Sequence, residues 1–268
     1  MLKIGIIGCG VIGFEICRAI DQGIVPADLI GVCDVDPSKA ETLSKSLVRG
    51  TTIMSQTDLI SAAELVVEAT HRAAAPGIIR EALLSSRDVM VMSVGGLLPH
   101  FDEFQAMAVE RKRFIYVPSG AIAGLDALKG ANIGRIFKVV LTTRKPPRGL
   151  EGAPYVEERG IDLRQIQEPT LVFSGTALEA IPAFPANINV AAALSLAGIG
   201  AEQTRVNILA DPSSDRNVHE VEVEGEFGKL VARTELVTAP GNPKTSLLAA
   251  LSAVALLRRI TSHVVVGT

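Results

Sequence analysis

The chain has 268 residues, 48% hydrophobic, 4% aromatic and without Trp, so Val, Ile, Leu and Ala must build its core, which is large enough for two domains without staples. A net charge of −3 with no basic cluster excludes nucleic acid or an anionic membrane as the main partner and leaves a small molecule. The three cysteines, Cys9, Cys17 and Cys33, show neither CxxC pairing nor ligand spacing, so they read as small core residues and no metal site is expected.

The chain opens with the apolar strand "LKIGIIG", the glycine turn "GCGVIG" and the helical pattern "FEICRAIDQG", which ends on Gly23. "DLIGVCD" is a second strand and "PSKAETLSKSL" a helix. After a polar connection come strand "ELVVEAT", helix "AAAPGIIREALLS", strand "DVMVMSV", helix "HFDEFQAMAVERKR" and strand "RFIYVPSG". Strands and helices that alternate in this way predict a doubly wound parallel sheet.

The rhythm changes after about residue 130. "RIFKVVLTTRK", "PTLVFSG", "TRVNILAD", "NVHEVEVEGEFG" and "KLVARTELV" are strand-like, and "ANINVAAALSLAG" is the one clear helix among them. Several strands alternate apolar with polar, as in an antiparallel sheet with one covered face. "KPPRGLEGAPYVEERGIDLRQIQ" reads as a long surface loop, and "NPKTSLLAALSAVALLRR" as a long apolar helix. The expected architecture is α/β: a Rossmann domain from residues 1–124 and 241–268, and a smaller α+β catalytic domain, mostly antiparallel, from 125–240. No leader precedes the first strand and the longest apolar run is too short for a bilayer, so a cytoplasmic protein is expected. The apolar helix from Thr245 to Ile260 points to a homodimer.

Gly8, Gly10 and Gly13 form GxGxxG between a strand and a helix, and Asp34 follows 21 residues after Gly13 at the end of the next strand. Gly8 permits the tight turn, Gly10 lets a pyrophosphate reach the backbone and Gly13 lets helix and strand pack closely. The helix start, at Val11 and Ile12, offers amide donors to phosphate. Asp34 would bind ribose hydroxyls and repel a 2′-phosphate, which favours NAD, with NADP the second choice because Lys39 is near. Two further turns fall outside the carboxyl ends of strands, at Thr70 and His71 and from Ser93 to Gly96. The small residues from Ser119 to Gly124 admit either a flat ring or a domain junction.

His219 shares a strand face with Val221 and Val223, whereas Glu220, Glu222 and Glu224 point the other way. The histidine therefore belongs to the rim of the covered face, which suits a substrate cleft or a core histidine bonded to a carbonyl. Asn187 and Asn189 stand where a helix begins, as polar site candidates, Asn187 towards substrate, or for at least one of them as the helix N-cap. Arg144, Lys145 and Lys244 are candidate carboxylate binders.

Together "GIIGCGVIG", "SGAIAGLDAL", "VLTTRK", "FPANINVAAALS", "NVHEVEVEGEFG" and "NPKTSLLAALS" make the chain resemble the L-aspartate dehydrogenase family from end to end. The resemblance implies an NAD-dependent oxidation of L-aspartate to iminoaspartate, which hydrolyses to oxaloacetate and ammonia or feeds quinolinate and NAD biosynthesis. It implies a catalytic role for His219 and NAD contacts at Ala123 and Asn189. An imidazole with a pKa near ~6.5 suits proton transfer from the substrate ammonium or activation of water. The alternatives are a related two-domain reductase of another small amino or hydroxy acid, in the style of dihydrodipicolinate reductase or homoserine dehydrogenase, and a non-catalytic NAD sensor.

Overall fold

β1 (Leu2–Ile7) buries Ile4, Gly5, Ile6 and Ile7, because it runs through the middle of a parallel sheet covered on both faces. The structure, a computed structural model, describes residues 1–185, 188–239 and 242–267. One compact unit comprises Met1–Pro118 and Ala249–Val265. In it α1 (Val11–Asp21) leads to β2 (Ala27–Cys33), α2 (Pro37–Ser46), α3 (Gln56–Ala62) and β3 (Leu65–Glu68). Then follow α4 (Ala75–Leu84), β4 (Asp88–Val91), α5 (Val94–Leu97), α6 (Phe101–Arg111) and β5 (Ile115–Tyr116). The strands pair in parallel in the order β2-β1-β3-β4-β5. Strand order thus reverses between β1 and β3, and ligands of such sheets bind outside the carboxyl ends at that switch point. Beyond β2, Ile53 adds a single parallel bridge to Val32. Ile4, Ile6, Ile16, Val32 and Met90 form the core with Ala253, Val254 and Leu257 of the C-terminal helix.

A second unit spans Ser119–Leu248. It contains α7 (Leu125–Ala131), β6 (Ile136–Lys145), α8 (Pro154–Glu158), β7 (Thr170–Thr176), α9 (Ala177–Ala183) and α10 (Asn189–Ala197). β8 (Arg205–Ala210), β9 (Asn217–Gly225) and β10 (Gly228–Leu236) complete a sheet of order β10-β9-β6-β8-β7. Only β6 and β8 are parallel, so the sheet is mostly antiparallel as expected. Val139, Leu141, Val206, Ile208, Val221 and Val223 fill its covered face. The opposite face carries Glu222, paired with Lys229 at 2.9 Å, and the exposed Val231. A short pair, β11 (Thr238–Ala239) and β12 (Asn242–Ser246), precedes α11 (Leu247–Ile260).

The stretch from Lys145 to Gln167 is not the loop its proline content suggests. Pro147–Leu150 and Leu163–Gln165 are 3-10 turns on either side of α8, and Leu150, Ala153, Val156 and Leu163 are buried. Pro147 and Pro154 open helical turns, where a missing N–H costs nothing. Tyr155 packs on Phe173 and Phe184, with ring centroids 5.3 and 5.5 Å away.

Candidate active site

At the carboxyl end of β1 the three glycines do three different jobs. Gly8 has φ +105°, and a Cβ on it would stand 2.3 Å from the Ala69 carbonyl oxygen. A Cβ on Gly13 would stand 2.0 Å from the Gly8 carbonyl oxygen, so α1 can approach β1 only without one. Gly10 faces open space, with nothing within 4 Å of its would-be Cβ. It is also the N-cap of α1 and no side chain caps that end, so the amides at Val11 and Ile12 have no intrahelical acceptor. A helix start of this kind attracts phosphate.

Asp34 accepts from the Cys9 amide at 2.7 Å and from the Asp36 amide at 2.9 Å, which ties the glycine turn to the end of β2. Gly8, Gly10, Asp34, Lys39, Thr70 and His71 line one cavity of about 310 Å³ in this unit. An open glycine over a bare helix start, with a carboxylate across the cavity, fits a dinucleotide bound through its pyrophosphate and adenosine ribose. Cys33 lines the cavity as well, but burial raises the Cys9 thiol to about 12 and also raises Cys33, so neither supplies a thiolate.

Glu68, fully buried at the end of β3, clamps the two neighbouring turns. Its carboxylate accepts from the amide and hydroxyl of Thr70 at 2.8 and 2.6 Å, and from the amide and hydroxyl of Ser93 at 2.9 Å each. Gly96 closes the same contact, since a Cβ there would lie 2.4 Å from the Arg72 carbonyl oxygen.

In the second unit, strand register assembles a different group. Thr143 of β6 lies opposite His219 of β9, and both are buried on the covered face. The Thr143 hydroxyl is 2.9 Å from Nδ1 of His219. Lys145, two residues along β6, is buried too, and its charge acts on the imidazole. Burial first, and the Lys145 charge second, push His219 from 6.5 down to about 3. The expectation of an imidazole titrating near neutrality is thereby corrected: in this state the ring is neutral. Alternation sends Arg144 to the other face, opposite Val218 and beside Asp211 and Arg216, so it does not join the histidine.

Ala123 is exposed in the Ser119–Gly124 loop, and Asn189 is the exposed first residue of α10. Asn187 and the side chain of Lys244 lie outside the described residues. Among the described residues no cluster of His, Cys, Asp and Glu could hold a metal ion.

Comparison with known proteins agrees with both halves of this arrangement. The family described as "Homoserine dehydrogenase, NAD binding domain" matches residues 8–118, and "Aspartate dehydrogenase, C-terminal" matches residues 126–260. L-aspartate dehydrogenase of Methanosarcina acetivorans is 51% identical over 271 residues, covering all of both chains. The chain belongs to the L-aspartate dehydrogenase family.

The enzyme of that name from Bradyrhizobium diazoefficiens is 42% identical, covering all of this chain and 94% of its own. Aspartate dehydrogenase of Thermotoga maritima superposes with a TM-score of 0.77 at 25% identity, covering 100% of both chains. A homoserine dehydrogenase from Thiobacillus denitrificans shares the fold, with a TM-score of 0.62 at 16% identity over 97% of this chain and 73% of its own. The family resemblance expected from the motifs, and the Rossmann-plus-α+β fold class, are thus both found. Sequence reasoning missed Thr143 and Glu68. Thr143 carries a signal in hindsight: it sits two residues before Lys145 in an alternating strand, on the same face.

Proposed function

We propose that this chain oxidises L-aspartate at Cα with NAD, giving iminoaspartate, which water converts to oxaloacetate and ammonia or which passes to quinolinate and NAD biosynthesis. The full-length relatives at 42 to 51% identity support the substrate, and one geometric observation carries the chemistry: a buried neutral histidine held at Nδ1 beside a buried lysine. In the first unit Gly10 and the amides at Val11 and Ile12 would hold the pyrophosphate, on a turn that Gly8 and Gly13 allow to close, and Asp34 the adenosine ribose. When bound, NAD supplies the hydride acceptor for Cα. In the second unit Ala123 and Asn189 are assigned to cofactor contact.

The α-ammonium must lose a proton before the C–H bond can leave as hydride. For Nε2 to accept it, Nδ1 must carry its own proton and donate to Thr143 Oγ1, a contact that also holds the ring plane. Buried, and with the Lys145 charge acting on it, the ring is too weak a base for this. A dicarboxylate changes that balance, because a carboxylate against Lys145 cancels the charge that depresses the imidazole. A substrate with an acid group placed for Lys145 would therefore make the ring a stronger base. Once that proton has passed to solvent, the neutral ring can serve a second time, by activating water towards the imine carbon. We place the protein in the cytoplasm as a homodimer, an assembly that light scattering on the purified chain reads directly.

NADH absorbance followed over a panel of amino and hydroxy acids tests the assignment. Turnover is expected with L-aspartate alone, and His219→Ala should abolish it while NADH still binds. Aspartate turnover that survives in His219→Ala removes the histidine from the mechanism.

A further inference from the structure

The chain enters the second unit through the Ser119–Gly124 loop, and two features press that loop onto the edge strand β10. The Thr234 hydroxyl donates to the Ala121 carbonyl oxygen at 3.0 Å. Gly124, at φ +88°, lies so close that a Cβ on it would stand 3.1 Å from the Ala232 Cβ. Ala121 and Ile122 are buried while Ala123 is exposed, so its neighbours pin the residue assigned to cofactor contact. Thr234 lies opposite His219 across β9 and β10, as His219 lies opposite Thr143 across β9 and β6. The three residues make one row on the sheet, with the imidazole in the middle. Thr143 sets the ring from one side and Thr234 sets the loop from the other.

We propose that Thr234 is a positioning residue, whose bond to Ala121 fixes the Ser119–Gly124 loop relative to His219 so that cofactor and substrate meet in register. The inference rests on the reading of Ala123 as a cofactor contact and His219 as the base. Valine has the shape and strand preference of threonine but would leave the Ala121 carbonyl without its donor.

The test uses the full chain as Thr234→Val and Thr234→Ser, with NADH affinity measured by fluorescence titration without substrate, then kcat and KM, then melting temperature. Thr234→Val is expected to weaken NADH binding and lower kcat by about three- to tenfold each, the equivalent of one hydrogen bond, with KM for aspartate unchanged. Thr234→Ser should restore both. Should Thr234→Val not fold, Gly124→Ala lifts the loop from Ala232 and should give the same signature, relieved in part by adding Ala232→Gly. NADH affinity and kcat within about twofold of wild type in a folded Thr234→Val protein, whatever its melting temperature, would overturn the proposal, as would failure of the serine to rescue. Wild-type protein that binds no NADH would instead overturn the reading on which it rests.

Discussion

At the scale of single residues the site depends on where charge is tolerated. His219 is neutral in the fold and held down to about 3, against 6.5 when unfolded, so between these values the unfolded chain binds the extra proton. Stability attributable to this group is complete above about pH 6.5 and is lost as pH falls towards about 3, with a limiting slope of roughly 1.4 kcal/mol per pH unit. Denaturant unfolding across that window should show His219→Gln with a flatter pH dependence than wild type; equal slopes would mean that the imidazole is not buried as described. Asp34 makes a second residue-level case, because Lys39 lines the same cavity and could meet a 2′-phosphate once the carboxylate is gone. Asp34→Ser should narrow the ratio of kcat/KM for NAD over NADP by about tenfold or more, and an unchanged ratio would show that Asp34 does not read the ribose. The face on which His219 lies was legible from alternation alone. Its environment was not, because Thr143 and Lys145 reach it only through a strand register that the sequence does not spell out.

Elements were legible where periodicity was strong and hidden where they were short. The five parallel strands and the glycine turn stand out as apolar runs and punctuation. α3 passes for a polar connection, although Ser55 caps it by accepting from the Asp58 amide. α9 also carries a signal, a capping box from Thr176 and Glu179, but a proline inside it and only seven residues obscure the pattern. The 3-10 turns around α8 are concealed by prolines that serve as helix starts. The glycine turn itself gives a contrast between two substitutions. Gly10→Ala meets no neighbour, so folding should be intact and NADH affinity should fall about tenfold or more. Gly13→Ala drives a Cβ into the Gly8 carbonyl and should cost about 2 kcal/mol or more of stability. Calorimetric titration and thermal melts on the pair check this; similar behaviour of the two variants would be incompatible with the separate roles assigned to them.

For the whole molecule, the division of labour follows the change of rhythm near residue 130. A parallel sheet supplies the switch point and helix start that suit a dinucleotide, and a mostly antiparallel sheet supplies a rigid covered face on which a histidine can be buried and aimed. The motifs that carried the family resemblance run through both units, which explains why it could be named before any geometry was known. On the proposed reading, a substrate carboxylate at Lys145 would offset part of what depresses His219. The most direct measurement is turnover of L-aspartate deuterated at Cα with unlabelled NAD. The product NADH should carry one deuterium at C4, with oxaloacetate and ammonia formed in equal amounts; unlabelled NADH, or none formed from aspartate, would contradict hydride transfer from Cα.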